Sequence, residues 1–122
     1  MKLRITRDDL LKSKIVEPGW YPTEVAEVKE APTKAGDSTN WNVTLRIQAP
    51  VEFAGVTVIR TFNEKGAGFA INFLKACGAV ISEEGAEFDM QAAIGRKIMT
   101  YIKTEEYQGT PKNRAEDFRP MT

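Results

Sequence analysis

Between Trp20 and Phe62 the chain crosses three β-patterned runs whose connections are too short to hold a crossover helix, which confines it to an antiparallel meander. The middle run is the clearest. Trp41, Val43, Leu45 and Ile47 alternate with Asn42, Thr44 and Arg46, one face apolar and the other polar. The first run, from Trp20 to about Lys29, alternates imperfectly. Thr23, Val25 and Glu27 share one face while Ala26 and Val28 share the other, so a bulge or strong bend is expected within the strand. The third run, Val56 to Phe62, follows the Ala49-Pro50 break and Gly55.

The period then changes. Asn63-Glu64-Lys65-Gly66-Ala67-Gly68 breaks the strand, and from Phe69 onward Ala70, Phe73, Leu74 and Cys77 fall at helical spacing, with Gly78 as the stop. Residues 81–95 are acidic and irregular, with one short helical turn expected from Asp89 to Ile94. Lys97 to Lys103 alternates again, Tyr107 to Lys112 reads as a hairpin loop, and Asn113 to Phe118 is a last strand ending at Pro120. Ahead of the first strand, Thr6-Arg7-Asp8-Asp9 before Leu10-Leu11 is a capping signal for one or two helical turns. Residues 1–18 therefore read as an N-terminal arm and 19–122 as a single domain. Three strands, a helix and two strands is the order of the OB-fold, a five-stranded, partly open Greek-key barrel with its helix between strands three and four. Other small β/α domains share this order; the short meander loops favour the barrel.

Composition removes most chemistry. No histidine is present among the 122 residues, which excludes Ser-His-Asp and Cys-His nucleophiles and the commonest zinc ligand. The single cysteine, Cys77, permits neither an internal disulfide nor a thiolate cluster, and on the apolar helix stripe it reads as a small core residue. Gly66-Ala67-Gly68 lacks the third glycine and the Lys-Ser/Thr ending of phosphate-binding turns, and Lys34-Ala35-Gly36-Asp37-Ser38 leads into no helix. The acid pairs Asp8/Asp9, Glu83/Glu84 and Glu105/Glu106 are sequence neighbours and point apart on either kind of element. No enzyme signature remains, and no cofactor or metal is expected. There is no signal-peptide or membrane-spanning apolar run, so a cytoplasmic protein without a membrane partner is expected.

Seventeen basic and seventeen acidic side chains cancel, which by itself argues against a nucleic-acid binder. The cancellation is uneven, however. Residues 1–16 carry a local +3 and 96–103 another +3, while 83–89 carry −4, a pattern compatible with a basic groove and an acidic far side. Neutrality lowers the affinity expected for a polyanion without removing the function.

Single-strand binders pair a basic groove with aromatic rings on which bases stack. The aromatic candidates are Trp41 at the mouth of the 31–40 loop, Tyr101 on the outward face of strand four, and Tyr107 in the hairpin; Trp20 and Tyr21, beside Pro18-Gly19, read as sealing the barrel's bottom. The cationic candidates are Lys34, Arg46, Arg60, Lys103, Lys112 and Arg114. Arg46 has the clearest outward parity. Trp41 shares parity with Val43 and Leu45, so capping the core is an equal reading of it, and Arg60 shares parity with Val58 and Phe62, so only a bulge would carry it outside.

Several segments taken in order resemble a known group. Leu10-Leu11-Lys12-Ser13-Lys14 leads to Pro18-Gly19-Trp20-Tyr21, followed by Lys34-Ala35-Gly36, Arg60-Thr61-Phe62-Asn63 and Phe73-Leu74-Lys75-Ala76. Ile94-Gly95-Arg96-Lys97 and Glu106-Tyr107-Gln108-Gly109, then Asn113 and Asp117-Phe118-Arg119-Pro120, complete the set. From about residue 6 to 120 the chain resembles small phage-type single-stranded-DNA-binding proteins with an OB-fold. The resemblance implies coating of single-stranded DNA in replication and recombination, without catalysis, in the host cytoplasm. It assigns no contact residue. Many single-strand binders end in an acidic tail, whereas Arg119-Pro120-Met121-Thr122 closes this sequence, so recruitment of partner enzymes through such a tail is not expected. The alternative reading is an OB-like module that docks a replication or recombination protein and binds no nucleic acid.

Overall fold

In a computed structural model describing residues 2–121, the sheet is organised around one long strand. β1 (Gly19–Pro32) serves two neighbours, pairing with β4 (Lys97–Tyr107) through Gly19–Glu24 and with β2 (Thr39–Ile47) through Thr23–Pro32. The bulge that its alternation demands is present. Register slips between Val25 and Glu27, and the slip brings Thr23, Val25 and Val28 all to the buried side. At that bend β1 turns away from β4, and Val25 instead exchanges backbone hydrogen bonds with Gly95 and Arg96, at 2.8 and 2.9 Å.

With β3 (Thr57–Asn63) and β5 (Thr110–Pro120), the strands form one five-stranded antiparallel sheet in the order β3-β2-β1-β4-β5. The sheet curls until its two edges, β3 and β5, lie beside each other. Among the described residues no ladder joins them. A three-ring cluster fastens this side of the core: Phe62 of β3 and Phe118 of β5 each contact Phe73, with centroids 5.1 and 5.2 Å away. Phe73 lies on α2 (Ile71–Ala76) and is fully buried, worth roughly 1.5–3 kcal/mol of transfer free energy.

Two boundaries differ from expectation. The helical segment begins at Glu64 rather than Phe69, as a 3₁₀ helix (Glu64–Ala70) running into α2. Asn63 explains the early start. Its Oδ1 caps the Lys65 N–H at 2.9 Å, while its Nδ2 reaches Ser38 Oγ and Asn40 Oδ1 at 3.1 and 2.8 Å. The hairpin expected over Tyr107 to Lys112 shrinks to two residues, Gln108-Gly109, whose φ of 51° and 79° are both left-handed. That is the I′ geometry, whose twist suits the flanking strands. Pro111 is tolerated because β5 is an edge.

The N-terminal helix α1 (Arg7–Ser13) has the anticipated capping box between Thr6 and Asp9. The arm is docked rather than frayed at its base. Val16 is buried, and the Asn113 amide of β5 accepts from the Val16 N–H at 3.0 Å while donating to the Lys14 carbonyl at 2.8 Å. A second 3₁₀ turn, Met90–Ala93, occupies the expected place in the acidic segment. Among the described residues no helix is long and apolar enough to cross a membrane. The surface exposed, 8332 Å², exceeds the roughly 6,600 Å² expected for this mass.

Candidate functional site

Where β3 and β5 approach without pairing, a furrow runs along the seam. Its first hollow, about 600 Å³, lies between Ile15 of the arm, Ile59 of β3 and Lys112 of β5. Ile59, Lys112 and Asn113 continue into a second of about 350 Å³, and Arg60 and Arg114 lead from there into a third of about 460 Å³ beside Phe69. Four expected site residues therefore belong to one feature. Arg60, Lys112 and Arg114 line it, and Tyr107 is joined to it by Lys112, whose ammonium sits 5.1 Å from the ring centroid.

Arg60 keeps its inward parity, since the β2–β3 register is regular and no bulge turns it out. Its side chain instead spans the seam. Nη1 donates to the Ala115 carbonyl at 3.1 Å, the guanidinium lies 5.4 Å from the Phe62 ring centroid, and the buried Nε has no hydrogen-bond partner. Burial, reinforced by the neighbouring charge of Arg114, holds Arg60 below its ordinary pKa.

Arg114 is differently placed. It donates to Glu105 and Glu116 at 3.1 and 3.0 Å, and these bonds raise its pKa. Lys103 joins the same network through Glu116 at 3.4 Å. Slight burial disfavours the Glu116 carboxylate, but bonds from Arg114 and Lys103 outweigh it and leave its pKa below the ordinary value. The network thus presents two cations already matched by two carboxylates.

The other expected residues lie apart. Trp41 is half-buried on the inner face, lining a separate apolar hollow of about 220 Å³ with Phe62, Leu74, Phe88 and Met90. Tyr101 packs edge-on against Trp20 on the outer face of β1 and β4, centroids 5.5 Å apart, with the Arg119 guanidinium 4.3 Å from the Trp20 centroid. Trp20 therefore belongs to an outer-face cluster rather than to a seal at the sheet's end. Arg46 is exposed on the outer face of β2, where it shares a shallow hollow with Asp8 and Leu11 of α1. Lys34 is exposed on a turn closed by Thr33 N–H to the Ser38 carbonyl and by the Lys65–Asp37 ion pair. Apart from Arg46, the outward residues Asn42, Thr44, Thr57 and Thr61 of β2 and β3 are uncharged, with Thr61 donating to Asn42 at 2.6 Å.

Three residues of the furrow escaped sequence reasoning. Ile59 has outward parity on β3 and is 65% exposed, a signal visible in the alternation. Phe69, 78% exposed, falls just outside the helical stripe of Ala70, Phe73 and Leu74, which marks it as non-core. Asn113 has no sequence signal, because its role depends on the arm lying across β5. Among the described residues no group of three or more His, Cys, Asp or Glu is placed to hold a metal ion.

No protein-family model matches the chain, and no curated protein matches it.

Proposed function

We propose that the curled sheet is an OB-type barrel and that its β3–β5 furrow binds single-stranded DNA without catalysis and with little sequence preference. The observation that carries this reading is the furrow itself: Arg60 and Lys112 line a channel that also offers Ile59 and, through Lys112, the Tyr107 ring. Cations along a groove with exposed rings is the arrangement by which single strands are held, phosphates by charge and bases by stacking. The barrel reading is supported by the strand order, by the helical segment between β3 and β4, and by the edge-to-edge approach of β3 and β5. Together with the likeness to phage-type single-strand binders, this suggests work in phage DNA replication or recombination, in the host cytoplasm.

The test is a titration of a labelled thymine oligomer by fluorescence anisotropy at several salt concentrations. Binding that weakens linearly in log salt is expected. Absence of binding at low salt, or binding indifferent to salt, overturns the reading.

A second reading is favoured by the pairing of Arg114 and Lys103 with Glu105 and Glu116 beside the exposed Ile59. A furrow with internally matched charge and apolar edges also suits a protein partner from the same machinery. The same titration separates the two, since that module leaves the oligomer free.

A further inference from the structure

We propose that Phe69 is a base-stacking platform at the helix end of the furrow, so that a single strand passes from Tyr107 along Arg60 to Phe69; this rests on the single-stranded-DNA reading above. Phe69 is 78% exposed, while the other five phenylalanines are buried or half-buried. It lies three residues past a break at Gly66 (φ −108°, ψ 36°), in the 3₁₀ turn that runs directly into α2. The ring lies over Gly66, where a Cβ would stand 3.4 Å from Phe69 Cδ2, an ordinary packing distance.

The hollow beside the ring, about 460 Å³, lies within the range of small-ligand sites. Its charges cancel. Arg60 and Arg114 face Glu116 and Asp117, and both acids are already engaged: Glu116 by Arg114 and Lys103, Asp117 by the Asn72 amide and the Phe118 N–H, each at 2.8 Å. A neutral hollow beside an exposed ring suits a base rather than a phosphate. Phe69 should accordingly contribute affinity that salt does not screen, in contrast to Lys112.

The experiment compares wild type with Phe69→Ala, Phe69→Leu and Phe69→Trp in the anisotropy titration, each checked for an unchanged thermal melt. Stacking predicts that Phe69→Ala weakens binding roughly five- to a hundredfold with the salt slope unchanged, and that Phe69→Trp restores it while Phe69→Leu does not. If wild type binds and Phe69→Ala stays within twofold, the platform is overturned while the function stands. Repair by leucine as complete as by tryptophan also overturns it, in favour of plain apolar bulk. Failure of wild type to bind at low salt overturns the function, and the platform with it.

Discussion

The Arg60 guanidinium of β3 donates to the Ala115 carbonyl of β5, 3.1 Å across the gap between the two edge strands of the sheet. A bond from a charged donor contributes about 1.5–3 kcal/mol, but the same side chain buries an unpartnered Nε–H that costs about 1–3 kcal/mol. The two nearly offset. Arg60→Met, which keeps apolar bulk over Phe62, should therefore lose only about 1 kcal/mol in urea unfolding while weakening oligomer binding. A variant more stable than wild type would show that the orphaned donor outweighs the bond.

Glu116 restrains Arg114 of the furrow and Lys103 beside it. Glu116→Gln removes a negative charge, frees Lys103 and leaves Arg114 paired with Glu105 alone, so it should tighten oligomer binding roughly two- to tenfold at low salt and steepen the salt slope. Lys112→Ala should do the opposite, reducing the slope by about one. Equal affinities for Glu116→Gln and wild type would place the strand elsewhere than beside β5.

Inside the sheet, Thr23 and Thr100 are fully buried and hydrogen-bonded to each other at 2.9 Å, with Thr23 Oγ1 also donating to the Ile98 carbonyl at 3.0 Å. With that proton committed, Thr100 is the donor within the pair. Thr23→Val strands the Thr100 hydroxyl and should cost about 1–3 kcal/mol. Adding Thr100→Val should recover part of the loss. Additive losses in the double variant, read by thermal melting, would contradict the pairing.

Gln108 carries a left-handed φ of 51° that asparagine adopts more readily. Gln108→Asn should stabilise the β4–β5 hairpin by about 0.5 kcal/mol, seen as a small rise in melting temperature. A fall would mean that the glutamine side chain is needed at the turn.

Burial pushes the Cys77 thiol up to about 11 from 9.0, against a weaker opposing pull from Arg96. The folded protein should resist a thiol-reactive disulfide dye at pH 8 and react once unfolded in urea. In the unfolded chain the thiol loses its proton first, so stability should fall as the pH rises from 9.0 toward 11. Cys77→Ala should flatten that decline; an unaltered decline would assign it to other groups, such as Tyr21.

Much of the architecture was readable because it is local. The β1 bulge followed from Val25 and Val28 falling on opposite parities, and the α1 cap from Thr6 and Asp9 three residues apart. The hairpin was overestimated because Gln108-Gly109 lacks the asparagine or aspartate that usually announces a two-residue turn. The binding candidates separated for a different reason. Parity gave Arg46 an outward place and left Trp41 open between core and surface, but which residues share a surface depends on how far the sheet curls. Only the approach of β3 to β5 brings Arg60, Lys112 and Arg114 together, and no alternation pattern encodes that distance.

The clamp by which Asn113 holds the backbone of Lys14 and Val16 joins positions 99 and 97 residues apart. On a ribosome, the arm emerges long before its anchor. α1 is too short to persist alone, so it waits unattached until β5 is released. Seating the arm thus reports that β5 has been made and has joined the sheet.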